Sequence, residues 1–186
     1  PSSAASDVYK RQARRSIEFG YQGLVLDVAA VSRQTPQRIE ALGRQLLDAG
    51  LNPEAIYYSA PPAISRHPEI PYRQLNLLCR GGFMPKSGPL LGKPAEVAIH
   101  KLTYEEHNHW SRVWGYAPPL YPVLSPCRDE EGKAPLTPAE FSKWTLALLE
   151  HRPPFFSVFH AATTSRDLWP LLAEVEVPRP PQTTEM

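Results

Sequence analysis

Short apolar runs recur along the chain, and each is separated from the next by a longer stretch of mixed apolar and polar positions. The runs occupy residues 23–28, 55–59, 97–100, 120–125 and 155–160. Nearly continuous hydrophobicity over four to six residues is typical of a strand that is buried on both faces. The pattern therefore predicts at least five strands.

The stretches between the runs carry apolar residues at spacings of three and four, which predicts amphipathic helices. Four helices are predicted, with N-terminal caps at Thr35, Thr103, Thr137 and Ser165. The clearest start is at Thr137, because Pro138 suits the first helical position and Glu140 has the spacing of a capping box. Gly50 and Gly115 follow the last apolar positions of two helices and predict their ends.

Strands that alternate with helices indicate an α/β fold with a parallel sheet and right-handed crossovers. Two architectures fit: the C-terminal part of a (β/α)8 TIM barrel truncated at its N-terminus, or an open doubly wound parallel sheet. The barrel is favoured because no glycine-rich phosphate loop follows the first run. Residues 13–177 would form this partial barrel, with an irregular loop at 61–95 and an extra strand at 74–79. Residues 178–186 predict a Pro-rich tail.

The N-terminal residues Ser2 to Gln12 resemble the in-frame translation of a transposase sequencing adapter. The resemblance implies that residues 1–12 are a scar and that the native chain begins near Ala13. It also implies that the natural start of the protein, including any signal peptide, lies upstream. The localisation therefore stays open, and secretion remains one alternative.

Composition narrows the classes of partner. The chain has 20 basic and 19 acidic residues, so its net charge of +1 gives no electrostatic reason to expect nucleic acid as a partner. It contains no apolar run of about 18 residues, so no membrane span is predicted.

Cys79 and Cys127 are too few for a disulfide scaffold, and one bridge or two free thiols are both compatible with the sequence. No metal-binding motif or cofactor motif occurs, so neither is predicted.

Parallel α/β proteins bind their ligands at the carboxyl ends of the strands, which selects the candidate site residues. Asp27 lies at the end of the first run and Glu105 follows the third, so both are candidate catalytic acids. The alternative role for Asp27 is a structural carboxylate that holds the following loop, and the alternative for Glu105 is a solvated carboxylate in the first turn of a helix. The candidate substrate-binding residues are Tyr58, His100, Lys101, Tyr121 and His160. Packing is the alternative role for the tyrosines and for His160.

Residues 24–59 are similar to a passage in glycoside-hydrolase-like TIM barrels, where a strand ending in an acidic residue precedes a helix, a glycine turn and an aromatic strand. The resemblance implies a carbohydrate-active hydrolase with carboxylate acid/base chemistry. The family passage usually carries a second acid two residues after the first, where this chain has Ala29. Because glycoside hydrolysis normally needs two carboxylates, the partner of Asp27 would be Glu105 or an upstream residue. The alternatives are a non-catalytic carbohydrate-binding or interaction barrel, and a lyase or isomerase that uses Lys101.

Overall fold

A computed structural model describes residues 11, 14–15, 18–20, 23–27, 36–116, 118–128, 133–159, 164 and 166–173. The chain divides into two compact units. The first unit comprises residues 1–84 and 106–120, and the second comprises residues 85–105 and 121–186. The predicted caps Thr35 and Ser165, the Pro-rich tail and nearly all of the adapter-like segment lie outside the described residues.

From residue 23 onward, the described residues contain five short strands, five α-helices and one π-helix. The strands are β1 (Leu24–Asp27), β2 (Ile56–Ala60), β3 (Gly82–Pro85), β4 (Val123–Leu124) and β5 (Ser157–Val158). The α-helices are α1 (Pro36–Asp48), α2 (Tyr72–Leu78), α3 (Glu106–Trp114), α4 (Pro138–Leu149) and α5 (Trp169–Ala173). The π-helix covers Val97–Glu105 and leads directly into α3. Short 3-10 turns occur at Pro53–Ala55, Ile64–Arg66, Pro89–Leu91 and Arg166–Leu168.

The first unit is built on a sheet in the order β1-β2-β3. Strands β1 and β2 are parallel, with Leu26 opposite Tyr58 and Asp27 opposite Ser59. Helix α1 covers one face through Ile39 and Leu46, which are both buried in the same core as Leu26 and Tyr58. The sequence predicted a first strand buried on both faces, but Val25 is 50% exposed, so β1 has only one covered face in the described part of the unit.

The second unit contains the parallel pair β4-β5, with Val123 opposite Ser157. Helix α4 packs Phe141, Trp144 and Leu148 into a core that also contains residues of the π-helix and of the C-terminal segment. The predicted capping box of α4 is confirmed. The Glu140 N–H donates to Thr137 Oγ1 at 3.3 Å, and the Thr137 N–H donates to the Glu140 carboxylate at 3.0 Å.

The third predicted strand is wrong. Residues 97–100 form the first part of the π-helix, where Ala98, Ile99 and Leu102 are buried at helical spacing. A run of only four apolar residues fits a helix as well as a strand, and the helical spacing continues into the following residues. The predicted start at Thr103 is wrong for the same reason: Thr103 is buried within the π-helix, and its hydroxyl donates to the Ala98 carbonyl at 2.8 Å.

The segment at 61–95, predicted as an irregular loop, contains regular structure. Its strand is β3, whereas the predicted strand at 74–79 is wrong because Tyr72–Leu78 is helix α2. The predicted helix ends at Gly50 and Gly115 are confirmed, because these glycines have φ of 92° and 70°, in the left-handed region that L side chains rarely adopt.

The fold is thus α/β with small parallel sheets, and the described residues do not close into a barrel. None of the helices in the described part of the chain combines the length and the apolar character that crossing a membrane requires.

We expect the packing of α4 to dominate the stability of the second unit. Leu148→Ala removes a side chain that is fully buried and should lower the free energy of unfolding by about 2–5 kcal/mol. Leu146→Ala on the same helix is the matched control, because Leu146 is 63% exposed and its loss should change stability by less than about 0.5 kcal/mol. Urea unfolding followed by circular dichroism measures both, and equal effects would contradict this packing of α4.

Candidate functional site

The second unit contains a pocket, here called the α4 pocket, with a volume of about 490 Å³. This volume lies in the range of small-molecule sites, about 300–1,000 Å³. Its wall combines apolar and charged side chains from two loops and from the start of α4. The lining residues are Pro89, Gly92, Lys93, Pro94, Ala95, Glu96, Arg128, Leu136, Glu140, Lys143 and Trp144.

The α4 pocket lies beyond the carboxyl ends of neighbouring strand segments. Lys86, just after β3, forms a parallel bridge with Val123 of β4. The Ser87 N–H donates to the Val123 carbonyl at 2.9 Å and continues this pairing. Since the two segments run in parallel, residues 89–96 and residues 125–128 follow the strands at the same edge. Ligand sites of parallel α/β proteins occupy this edge.

Glu140 is held in place by three groups at the pocket. Its carboxylate accepts hydrogen bonds from the Thr137 N–H at 3.0 Å and from the Thr137 hydroxyl at 2.8 Å, and it forms an ion pair with Arg128. The backbone hydrogen bond from Thr137, the Thr137 hydroxyl and Arg128 together lower the pKa of Glu140 to about 2. Glu140 is therefore ionised at neutral pH, and it closes the first turn of α4 while it orients Arg128.

The remaining charges of the pocket lie at its rim. Lys93, Glu96 and Lys143 are exposed. Among the residues that the structure describes, none of these three has an ion-pair partner. The lining thus contains three cationic and two anionic side chains, and one anionic side chain is already paired with Arg128. The described lining carries a surplus of one positive charge.

A second polar cluster joins the π-helix to the end of α4. His100 Nδ1 lies 2.5 Å from His151 Nε2, and His100 Nε2 lies 3.3 Å from Glu150 Oε2. The Tyr104 ring stacks on the His151 ring with centroids 3.7 Å apart and an interplanar angle of 5°. The Tyr104 hydroxyl is buried and has no hydrogen-bond partner in the described part of the unit.

The histidine pair of this cluster can take up only one additional proton in this geometry. One nitrogen of the His100–His151 contact must donate and the other must accept, so two imidazolium rings cannot share the contact. Burial and then the neighbouring His100 lower the pKa of His151, and Glu150 opposes them. Burial also raises the pKa of the Tyr104 hydroxyl, which stays protonated at neutral pH.

Comparison with protein-family models, with curated proteins and with solved structures finds no match to this chain.

Of the candidate substrate-binding residues, Tyr58 lies in the core of the first unit. It is fully buried, its ring stacks on Phe83 with centroids 4.7 Å apart, and its hydroxyl donates to Asn76 Oδ1. Neighbouring side chains of a strand point to opposite faces, and Tyr58 is the tyrosine of β2 that faces inward. It therefore presents no ring face to a ligand.

The other predicted site residues are spread over both units. Asp27 ends β1 in the first unit and is exposed, whereas Glu105 and Lys101 are exposed on the π-helix, which belongs to the second unit. Neither unit by itself contains the predicted acid pair. Tyr121 stacks on Phe155 in the second unit, with centroids 4.0 Å apart. His160 lies outside the described residues.

The two cysteines lie in different units. Cys79 and Cys127 are both buried, and neither forms a disulfide in the structure. Burial raises the pKa of the Cys79 thiol, which keeps it protonated and unreactive. Over the described ranges, no group of three or more His, Cys, Asp or Glu is arranged to hold a metal ion.

The lining of the α4 pocket was not among the predicted site residues. One signal was available, because the capping box at Thr137 places Glu140 and Lys143 in the first two turns of a helix that follows a strand. Residues 89–96 carry no comparable signal in the sequence. The sequence does not predict β3, so these residues could not be placed after a strand of the sheet.

The histidine cluster predicts how the stability of the second unit changes with pH. Because the pKa of His151 is lower in the folded chain than the usual value of about 6.5, protonation favours unfolding. The stability from this group is complete above pH 6.5 and is lost as the pH falls below it. His151→Gln should therefore reduce the drop in Tm between about pH 7.5 and pH 5.5.

Removal of His151 should reduce only part of that drop, because burial also lowers the pKa of His107 in the first unit. The matched control is His109→Gln, which removes an exposed histidine of α3. Differential scanning calorimetry at the two pH values measures the change in Tm. A His151→Gln protein with the full wild-type drop would contradict the role of the cluster.

Proposed function

We propose that the protein binds a saccharide in the α4 pocket and that its fold is the C-terminal part of a (β/α)8 barrel. The observation that carries the proposal is the position of the pocket, which opens beyond the carboxyl ends of parallel strand segments and has the volume of a small-ligand site.

The order of the strands supports the barrel. In the first unit the order is β1-β2-β3, and Phe83 of β3 forms a parallel bridge with Leu120, which precedes β4. In the second unit β4 pairs with β5. Within each unit, neighbours in the sheet are thus neighbours in the chain, as in a (β/α)8 barrel, whereas a doubly wound sheet reverses its order at a switch point.

The lining of the pocket supports a saccharide as the ligand. Trp144, Leu136 and Ala95 give an apolar wall, and Lys93, Glu96 and Lys143 lie at the rim. A sugar ring has apolar C–H faces and a hydroxyl edge, so it matches a site that combines an apolar wall with a polar rim. The resemblance of residues 24–59 to glycoside-hydrolase-like barrels points to the same class of ligand.

Binding fits this pocket better than hydrolysis. Glycoside hydrolysis normally uses two carboxylates, and Glu140 is already committed to the helix cap and to Arg128. Only Glu96 remains available among the described lining residues. Hydrolysis that uses Asp27 and Glu105 stays a prediction from the sequence. The lyase or isomerase reaction that would use Lys101 also stays a prediction. Lys101 is exposed, whereas lysines that form Schiff bases are usually activated by burial in an apolar pocket.

The test is saccharide binding by a variant in which the pocket is filled. Lys143→Trp places a large side chain at the pocket, and we expect it to abolish the binding of short oligosaccharides measured by isothermal titration calorimetry. The matched control is Leu146→Trp, because Leu146 lies one turn further along α4, is exposed and does not line the pocket. Circular dichroism confirms that both variants fold.

Two results would overturn the proposed function. One is that no oligosaccharide of a broad panel binds the wild-type chain. The other is that the Lys143→Trp protein binds as tightly as the Leu146→Trp protein, which would place the saccharide site elsewhere.

A further inference from the structure

We infer that the α4 pocket selects a saccharide that carries an anionic substituent, either a carboxylate or a sulfate. The inference rests on the proposed function and names the chemical class of its ligand. It is carried by the distribution of charge around the pocket.

The negative charge of Glu140 is balanced by its neighbours. Its carboxylate receives the Thr137 N–H, the Thr137 hydroxyl and the Arg128 guanidinium. A carboxylate with these three donors has little capacity left to repel an anion or to accept from a ligand. Arg128 and Glu140 therefore contribute almost no net charge to the pocket.

The charge that remains at the pocket comes mainly from two lysines. Lys93 and Lys143 come from the loop after β3 and from the second turn of α4, and both line the pocket. Within the described ranges neither lysine has an ion-pair partner, and Glu96 is the only other charged lining residue apart from the paired Arg128 and Glu140. Among the described lining residues, two ammonium groups thus oppose one unpaired carboxylate, which favours the binding of an anion.

The apolar wall of the pocket favours an anionic sugar over a simple anion. The wall behind the charges is apolar, because Trp144, Leu136 and Ala95 line it. A small inorganic anion would gain nothing from this wall. A saccharide with one anionic group places its ring against the wall and its charge near the lysines, and Glu96 can accept from its hydroxyl groups.

The experiment compares three trisaccharides that differ in one substituent: a neutral galactose-type chain, its galacturonate counterpart and its sulfated counterpart. Affinities are measured by isothermal titration calorimetry in about 0.02 M and about 0.3 M salt. We expect at least one anionic ligand to bind about tenfold tighter than the neutral one at low salt. This advantage should shrink at high salt, because the lysines are exposed and their charges are screened.

The variant pair isolates the role of the two lysines. Lys93→Gln combined with Lys143→Gln should weaken the binding of the anionic ligand about tenfold more than it weakens that of the neutral ligand. Arg152→Gln combined with Arg166→Gln is the matched control, since it removes the same charge from exposed positions of the second unit that do not line the pocket. The control should keep the preference for the anionic ligand.

The outcomes separate this inference from the proposed function. If only the galacturonate or only the sulfated chain is preferred, the inference holds and the substituent is identified. If all three bind equally, or if the lysine variant keeps the preference, the selection of anions is overturned while saccharide binding stands. If none of the three binds and a broad panel also gives no ligand, the proposed function itself fails.

Discussion

The capping box at the start of α4 is the interaction on which the second unit depends. It fixes Thr137 as the point where the chain turns from extended to helical, and it places Glu140 where its carboxylate also binds Arg128. From that start, α4 directs Phe141, Trp144 and Leu148 into the core and leaves Lys143 at the pocket. One local hydrogen-bonded motif thus sets the register of the core face and the charge of the pocket together.

The same carboxylate limits the chemistry of the site. A glutamate with three donors and a pKa of about 2 is ionised and well held, which suits a structural anion. A general acid requires the opposite, a raised pKa. The histidine cluster has titratable groups but does not belong to the pocket lining, and its geometry accommodates a single additional proton. We therefore assign the two clusters separate roles: the first lines the proposed binding site, and the second makes the stability of the unit sensitive to pH.

Local sequence signals predicted the elements whose ends are chemically marked. The capping box of α4 and the glycine ends at Gly50 and Gly115 follow from side-chain chemistry and backbone sterics, so they could be read from the chain. The π-helix could not be predicted in this way, because the four apolar residues at 97–100 suit a helix as well as a strand. Only the packing of Ala98, Ile99 and Leu102 decides between the two. Strand β3 was not predicted either. Once β3 was missed, the loop at 89–96 had no place in the sheet, and so the pocket was missed with it. The alternation of Tyr57 and Tyr58 was predictable, but which of them faces inward depends on the side of the sheet that α1 covers.

We propose that the ligand site lies at the start of α4. The most direct measurement is a titration of the ¹⁵N-labelled chain with an acidic oligosaccharide, followed through the backbone amide resonances. We predict shifts at residues 92–96, at Arg128 and at residues 140–144, with no change at Asp27 or at the histidine cluster. Shifts centred on Asp27 and the end of β1, with the resonances of α4 unchanged, would contradict it.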